Sequence, residues 1–477
     1  MRTRYFSTLL TAICLVAFFS TALAQDGNYK AGNQAAPNTT TADWLTIVGD
    51  STGYELTSGS YNTFLGKSAG LNFDTESDNT IIGAFARYLA TSGFDNVFIG
   101  ARAGYAAGTG TDNTVIGSEA GYHMTSAGDA TIVGETAGYM LTTGFDNTFI
   151  GEDAGYNTTT GGDNTFIGAS AGRQNVIGYR NTAVGNEALF DLDVDQTGVH
   201  HNTAVGDSAG VDNGRGNYNT FLGAASGAAN EYADFNTFVG AYAGFDNNRT
   251  NNQNNANRNT YVGFEAGYSN REGEDNAGMG AFADFNNTNR SRTAFLGAAV
   301  DVDHNDVVII GYSARVNKDS SIAIGSTSDN QGNDAIAIGY GAIIGNNHNE
   351  SVAIGHETNV SATNAVALGY QTDIDNTNSV AIGHLASVTG DNSTAIGKDA
   401  GVSAANSMAL GYQASVTAAN EIYLGNSAIT SIGGIVNWTA TSDGRAKQDV
   451  QEDVVGLEFI EQLRPVTYTY DTGALHE

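Results

Sequence analysis

Few residues in this chain of 477 carry side chains that could do chemistry together. Ser442 stands five positions before Lys447. A serine hydroxyl attacks near neutral pH only with an adjacent base, and lysine can be that base only where desolvation lowers its pKa. Taken alone, Ser442 and Asp443 read as an ordinary cap of a helix or turn. His356 and His384 share one repeat position two coils apart, about 9.6 Å at ordinary strand spacing. That is too far for one metal ion, and both read as solvated. Pairs such as Asp112-Asn113 and Asp146-Asn147 raise the question of calcium, but the glycine-rich nonapeptide that binds it is absent, and Asp and Asn are turn formers. No phosphate loop, zinc motif or isolated carboxylate pair stands out, so neither a cofactor nor a metal is expected.

The elements that position these residues follow from composition. Glycine is abundant, at 61 residues, against only 2 prolines, which excludes collagen and proline-rich disorder. Charged residues are 15% and hydrophobic ones 41%, enough apolar material for a core. The net charge of -31 repels phosphate backbones and anionic lipid, so nucleic acid is excluded as a partner.

At the N-terminus Arg2 and Arg4 precede an apolar run, Leu9 to Phe19, and then Ala22-Leu23-Ala24. This predicts a secretory signal over residues 1–24, since a membrane anchor needs roughly 20 apolar residues. Cys14, the single cysteine, leaves with it, so no disulfide or thiolate site is expected. The mature chain should be secreted or at the cell surface, with no membrane span.

From Gly49 the sequence repeats. A short apolar strand ends in glycine at 49, 66, 83, 100, 117, 134, 151, 168 and 185, each step being seventeen residues. Insertions lengthen the steps to Gly206 and Gly263, and from Gly297 the step becomes fourteen, through Gly311, Gly325 and Gly339 and, after a two-residue insertion, Gly355 to Gly425. Typical units read Asn147-Thr148-Phe149-Ile150-Gly151 and Ser351-Val352-Ala353-Ile354-Gly355. Such a coil cannot bury its apolar face alone, but stacked coils about 4.8 Å apart form parallel ladders around a continuous core. An all-β parallel β-solenoid or β-roll is predicted, with two short strands per repeat and a length on the order of 110 Å.

Alternation places Val352 and Ile354 on one face, and in the second strand Ala386 with Val388 and Ala414 with Val416. The opposite face of the first class carries Phe64, Phe98, Phe149, Phe166, Phe221, Phe238 and Phe295. Those rings are expected to pack outward on identical chains, which favours an oligomer. Tyr105, Tyr122, Tyr139 and Tyr156 should form a stacked row, with sugar binding as the alternative to simple stacking.

The fourteen-residue units, including Ser351 to Gly355 and Ser379-Val380-Ala381-Ile382-Gly383, resemble the head repeats of trimeric autotransporter adhesins, the YadA-like head. The resemblance is specific over Asn305 to Gly425 and looser over Thr46 to Gly297. It implies a left-handed parallel β-roll, three chains around one axis and a role in surface attachment to an unknown receptor or carbohydrate. The family's coiled-coil stalk and membrane barrel do not follow in this sequence, so a complete autotransporter is not expected.

After Trp438 comes Thr441-Ser442-Asp443-Gly444-Arg445-Ala446-Lys447, then a run from Gly456 to Val466. Leu457, Ile460 and Leu463 have helical spacing that ends at Pro465, giving a short, partly helical C-terminal segment. This stretch is similar to the start of the endosialidase-type intramolecular chaperone, the self-cleaving domain of phage tail spikes. In that family the serine attacks the peptide bond before itself with the lysine as base. The resemblance implies these roles for Ser442 and Lys447, with cleavage after Thr441. The domain is expected to be incomplete at Glu477, so at most a single-turnover serine peptidase acts, and only in a completed chain.

The expected organisation is a signal peptide at 1–24, a linker at 25–43, seventeen-residue coils at 44–304, YadA-like coils at 305–430, a connector at 431–441 and the chaperone segment at 442–477. A secreted, trimeric adhesive fibre is the leading function. The alternatives are a tailspike-like enzyme acting on an external polysaccharide and an ice- or mineral-binding solenoid, the last requiring a regular Thr-x-Thr row.

Overall fold

The computed structural model describes residues 27–192, 198–250, 252, 255–285 and 289–433. The expected signal peptide, Ser442, Lys447 and the helical segment lie outside the described residues. The chain divides into Met1–Asn426 and Ser427–Glu477; the solenoid is the first unit, and of the second only 427–433 is described. Among the described residues there is no α-helix.

Every coil contributes one three-residue strand to a single parallel sheet of 25 strands, from Tyr29–Ala31 to Ile422–Leu424. Register is strict: Thr148, Phe149 and Ile150 pair with Thr165, Phe166 and Ile167. At about 4.8 Å per step, the sheet runs on the order of 115 Å. A second parallel sheet has 10 two-residue strands, beginning at Asp284–Phe285 and ending at Ser415–Val416. The expectation of two strands per repeat therefore holds for the fourteen-residue coils and for the last seventeen-residue coil, which contains Asp284–Phe285. In the earlier seventeen-residue coils, three extra residues turn the return path into consecutive turns, with isolated bridges such as Asp191 to Asp212 and Asp212 to Ala229 in place of a second ladder.

Solenoid structure also starts inside the segment expected to be a linker, because Tyr29–Ala31 pairs with Thr46–Val48. Gly32, seventeen residues before Gly49, is the signal that marks this first coil.

The repeating glycine has a steric cause. Gly151 has φ +140°, and a Cβ there would lie 2.3 Å from the carbonyl oxygen of Gly168 in the next coil. Stacking at strand distance thus excludes every side chain at this corner.

Inside and outside are the reverse of the expected assignment. Phe64, Phe98, Phe149, Phe166, Phe221, Phe238 and Phe295 point into the coil and are fully or almost fully buried. Their flanking neighbours, such as Thr148 and Ile150 or Val352 and Ile354, face outward and stay half-exposed. Gly155 explains the inward choice: with φ +60° and no side chain, it leaves the space that the Phe149 ring fills. In the fourteen-residue coils Ala353 takes the inward place, and Ala386, Val388, Ala414 and Val416 complete the core as expected.

Candidate functional site

Rows of equivalent residues are the functional units of a solenoid, because each side chain meets its counterparts about 4.8 Å above and below. Two rows are buried and structural. Asn62, Asn79, Asn96 and Asn113 form an internal amide ladder, in which Asn96 Nδ2 donates to Asn79 Oδ1 (3.1 Å) and to the Gly110 carbonyl (3.0 Å). From Asn213 a second ladder joins it, with Asn230 Nδ2 donating to Asn213 Oδ1 (2.8 Å) and Asn247 Nδ2 to Asn230 Oδ1 (2.6 Å). In several of the smaller coils serine replaces asparagine, and in others Val307, Ala335 or Ala365 does: Ser351 Oγ donates to the Ala362 carbonyl (2.8 Å) and accepts from Ala365 N (3.2 Å). The Asp-Asn pairs thus divide their work. Asp112 and Asp146 adopt the left-handed corner, with φ of 59° and 56°, while Asn113 and Asn147 turn inward.

A third row is aromatic and half-exposed. Tyr88, Tyr105, Tyr122, Tyr139 and Tyr156 stack with centroid spacings of 5.3, 4.9, 5.1 and 5.1 Å, and the Arg173 guanidinium caps Tyr156 at 5.0 Å. Each inner ring has both faces covered by its neighbours, which leaves no ring face for a sugar. The histidines expected to be merely solvated belong to a similar row: His356 lies between Tyr340 (5.0 Å) and Tyr370 (5.1 Å), and His384 stacks on Tyr370 at 4.9 Å.

Two clusters break the repeat. Arg87 occupies a corner that is glycine in most seventeen-residue coils, at φ 46°, and its buried guanidinium lies between the rings of Phe73 (4.9 Å) and Phe98 (4.8 Å). Nη2 donates to the Ser92 carbonyl (2.9 Å), while Nε and Nη1 have no hydrogen-bond partner among the described residues. Burial pushes its pKa down to about 9, against the opposing charge of Glu76.

In the second cluster, Asp191, Asp212 and Glu231 come from three neighbouring coils. The Glu231 carboxyl is pushed up to about 8, first by burial, then by its hydrogen bond to Asp212 and the charges of Asp212 and Asp191, with Arg215 opposing. Two carboxyls that share a hydrogen bond are too close for glycoside hydrolysis, which needs roughly 5–9.5 Å between them. Among the described residues, no group of three or more His, Cys, Asp or Glu side chains is placed to hold a metal ion.

The outward face of the long sheet is continuous. Threonine fills its first position from Thr46 to Thr260, save for Val97, beside Ile, Val or Leu at the third. This is one threonine row beside an aliphatic row, not the Thr-x-Thr pair required of an ice binder. In most of the smaller coils both rows turn aliphatic, as in Ile322 and Ile324, Ile336 and Ile338, and Val366 and Leu368, with Thr394 and Met408 as exceptions.

Residues 310–328, 349–372, 375–400 and 403–420 match the YadA head domain repeat. Over these stretches the fourteen-residue coils are similar to the adhesin-head repeat. Residues 442–475 match the family described as chaperone of endosialidase, and this match includes Ser442 and Lys447. No curated protein matches the chain. Along the chain, stretches similar to adhesin-head repeats are thus followed by one similar to the endosialidase chaperone. Among the described residues, no helix is long and apolar enough to cross a membrane.

Proposed function

We propose that the protein is a secreted or surface-exposed homotrimeric adhesive fibre, a left-handed roll whose C-terminal segment assists assembly and then cleaves itself off. The observation that carries this reading is the outward aliphatic face of the fourteen-residue coils. Val366 and Leu368 are 38% and 43% exposed, and the row of Leu368 is Ile or Leu in every coil from Leu296 to Leu424, while that of Val366 is Ile or Val from Val308 to Val380. An apolar strip of that length requires cover, and identical chains in register supply it at every coil. The match to YadA head repeats supports three chains as the number.

For the C-terminal segment, Ser442 is the proposed nucleophile on the bond after Thr441 and Lys447 its base. Assembly would desolvate Lys447 and lower its pKa enough to accept the serine proton.

Sedimentation analysis of the full chain tests the assembly reading. A trimer is expected, and Val366→Asp with Leu368→Asp should yield monomers that keep their β-structure; a wild-type monomer refutes it. In a chain extended to a complete chaperone domain, intact-mass measurement should find one cut before Ser442, lost in Ser442→Ala and in Lys447→Ala. Cutting that survives both substitutions removes these residues from the mechanism.

A further inference from the structure

We propose that the turn face from Ser77 to Gly162 is a binding track for a linear, neutral polysaccharide lying along the solenoid. The proposal rests on the adhesive reading and gives it a ligand class.

Phe94 and Phe145 occupy the same position in coils three steps apart, and are 54% and 55% exposed. Neither ring stacks on another among the described residues, in contrast to the tyrosine row, whose faces cover one another. The reason lies in their own row. It reads Ser77, Phe94, Thr111, Gly128, Phe145, Gly162, so each ring stands between small residues. At about 4.8 Å per coil the two platforms are roughly 14 Å apart, which suits a chain of linked rings better than a single sugar.

Beside this row runs another, of exposed carboxylates: Asp78, Asp95, Asp112, Asp129, Asp146 and Asp163. Backbone hydrogen bonds lock the two rows together. Asp112 N donates to the Phe94 carbonyl (3.3 Å), Asp129 N to Thr111 (3.2 Å), Asp146 N to Gly128 (3.2 Å) and Asp163 N to Phe145 (3.0 Å). Asp163 faces Arg180 at 3.8 Å, but no cation pairs with Asp95, Asp112, Asp129 or Asp146 among the described residues.

At Phe94 the surface opens into a groove of about 430 Å³, lined by Glu76, Asp78, Ser92, Phe94, Thr109 and Thr111 among others. Its floor is held from below, where the buried Arg87 binds the Ser92 carbonyl. A free ring face opposite hydroxyls and carboxylates fits the apolar C–H face and the hydroxyl edge of a sugar ring. The carboxylate row repels phosphorylated or uronate polymers. Cationic peptides suit the charge, yet phenylalanine is a weak cation platform and exposed charges are screened at physiological salt, so ring contact decides for the sugar.

Affinity electrophoresis of the full chain in gels containing hydroxyethylcellulose, galactomannan or laminarin tests the track. Retardation by at least one polymer is expected, weakened on the order of tenfold by Phe94→Ala and again by Phe145→Ala, with sedimentation and circular dichroism unchanged. Asp112→Asn with Asp129→Asn should also weaken it. No retardation in any gel, or retardation indifferent to these variants, overturns the proposal while leaving trimeric assembly and surface adhesion to be scored separately. Binding to polylysine alone, abolished by salt, assigns the face to cationic polypeptide and overturns it too. So does a changed oligomeric state in the Phe variants, which would mean that a second copy covers the row.

Discussion

Phe149 lies wholly inside its coil, with its ring parallel to that of Phe166 at 5.2 Å. Phe149→Ala removes this ring from a space bounded by Gly138 and Gly155, whose backbones are already closed around it. Loss of transfer free energy plus a cavity costs roughly 3–5 kcal/mol. Loss of the ring stack adds about 0.5–1.5 kcal/mol. Because each coil touches only its neighbours, the damage should remain local instead of spreading along the rod. Native-state hydrogen exchange is the suitable assay, since Thr148 N donates to Asn164 O and Gly151 N to Val133 O, both at 2.8 Å. Those amides should exchange on the order of 300- to 40,000-fold faster, at 1.4 kcal/mol per tenfold. Amides of Val352–Ile354, many coils away, should keep their protection. Phe149→Asp should be more severe, because an unpaired charge would enter the core. Ile150→Asp, on the outward side, should change assembly with little effect on the coil. If Phe149→Asp instead separated chains while leaving exchange intact, the ring would have to lie outside, and the assignment of the core would fail.

Other substitutions probe the irregular coils and the corners. Glu231 has a folded pKa raised to about 8, so the native state keeps a proton that the unfolded chain loses near pH 4.5. Stability should therefore fall as pH rises through that window; Glu231→Gln should flatten the fall, with the melting temperature gaining most at pH 8.5 and little at pH 4. Arg87→Leu should leave stability unchanged or raise it by about 1–4 kcal/mol in denaturant titration, because a buried and only partly bonded cation gives way to apolar packing. Leu189 already adopts the same corner, at φ 48°, in another coil. Asn230→Ala should cost about 0.5–1.5 kcal/mol for each hydrogen bond it removes, those to Asn213 Oδ1 and the Ala233 carbonyl, since both acceptors keep a bond from Asn219 Nδ2. A cost below 0.5 kcal/mol would show that the ladder is not needed for stability. Gly151→Ala should slow or prevent refolding by steric collision at 2.3 Å, whereas Ala substitution at exposed Asp146 should be mild.

Repetition made most of the fold legible. Glycine in a constant phase specifies a coil, and identical coils that cannot bury an apolar face alone must stack in parallel. The catalytic pair proposed at Ser442 and Lys447 was legible for another reason: the chemistry sits in one short motif and needs no long-range neighbour to be noticed. The polysaccharide track was not legible, because Phe94 and Phe145 are 51 residues apart and become a pair only through the coil phase. His356 and His384 show the same limit. Two-coil spacing excluded a shared metal, but the tyrosine between them is visible only when the row is read vertically.

What the sequence by itself determined is the periodic parallel solenoid, its two coil classes and the apolar character of both strand faces. Tertiary structure alone decided which face is the core. In Thr148-Phe149-Ile150, alternation groups Thr148 with Ile150 and sets Phe149 opposite, but it does not say which side turns inward when both are apolar. The decision is made across the coil, where Gly155 withdraws its side chain and leaves room for one ring, and along the stack, where Phe166 receives it. That volume is formed by residues from two strands and a distant turn, so it exists only once the coils have closed and stacked.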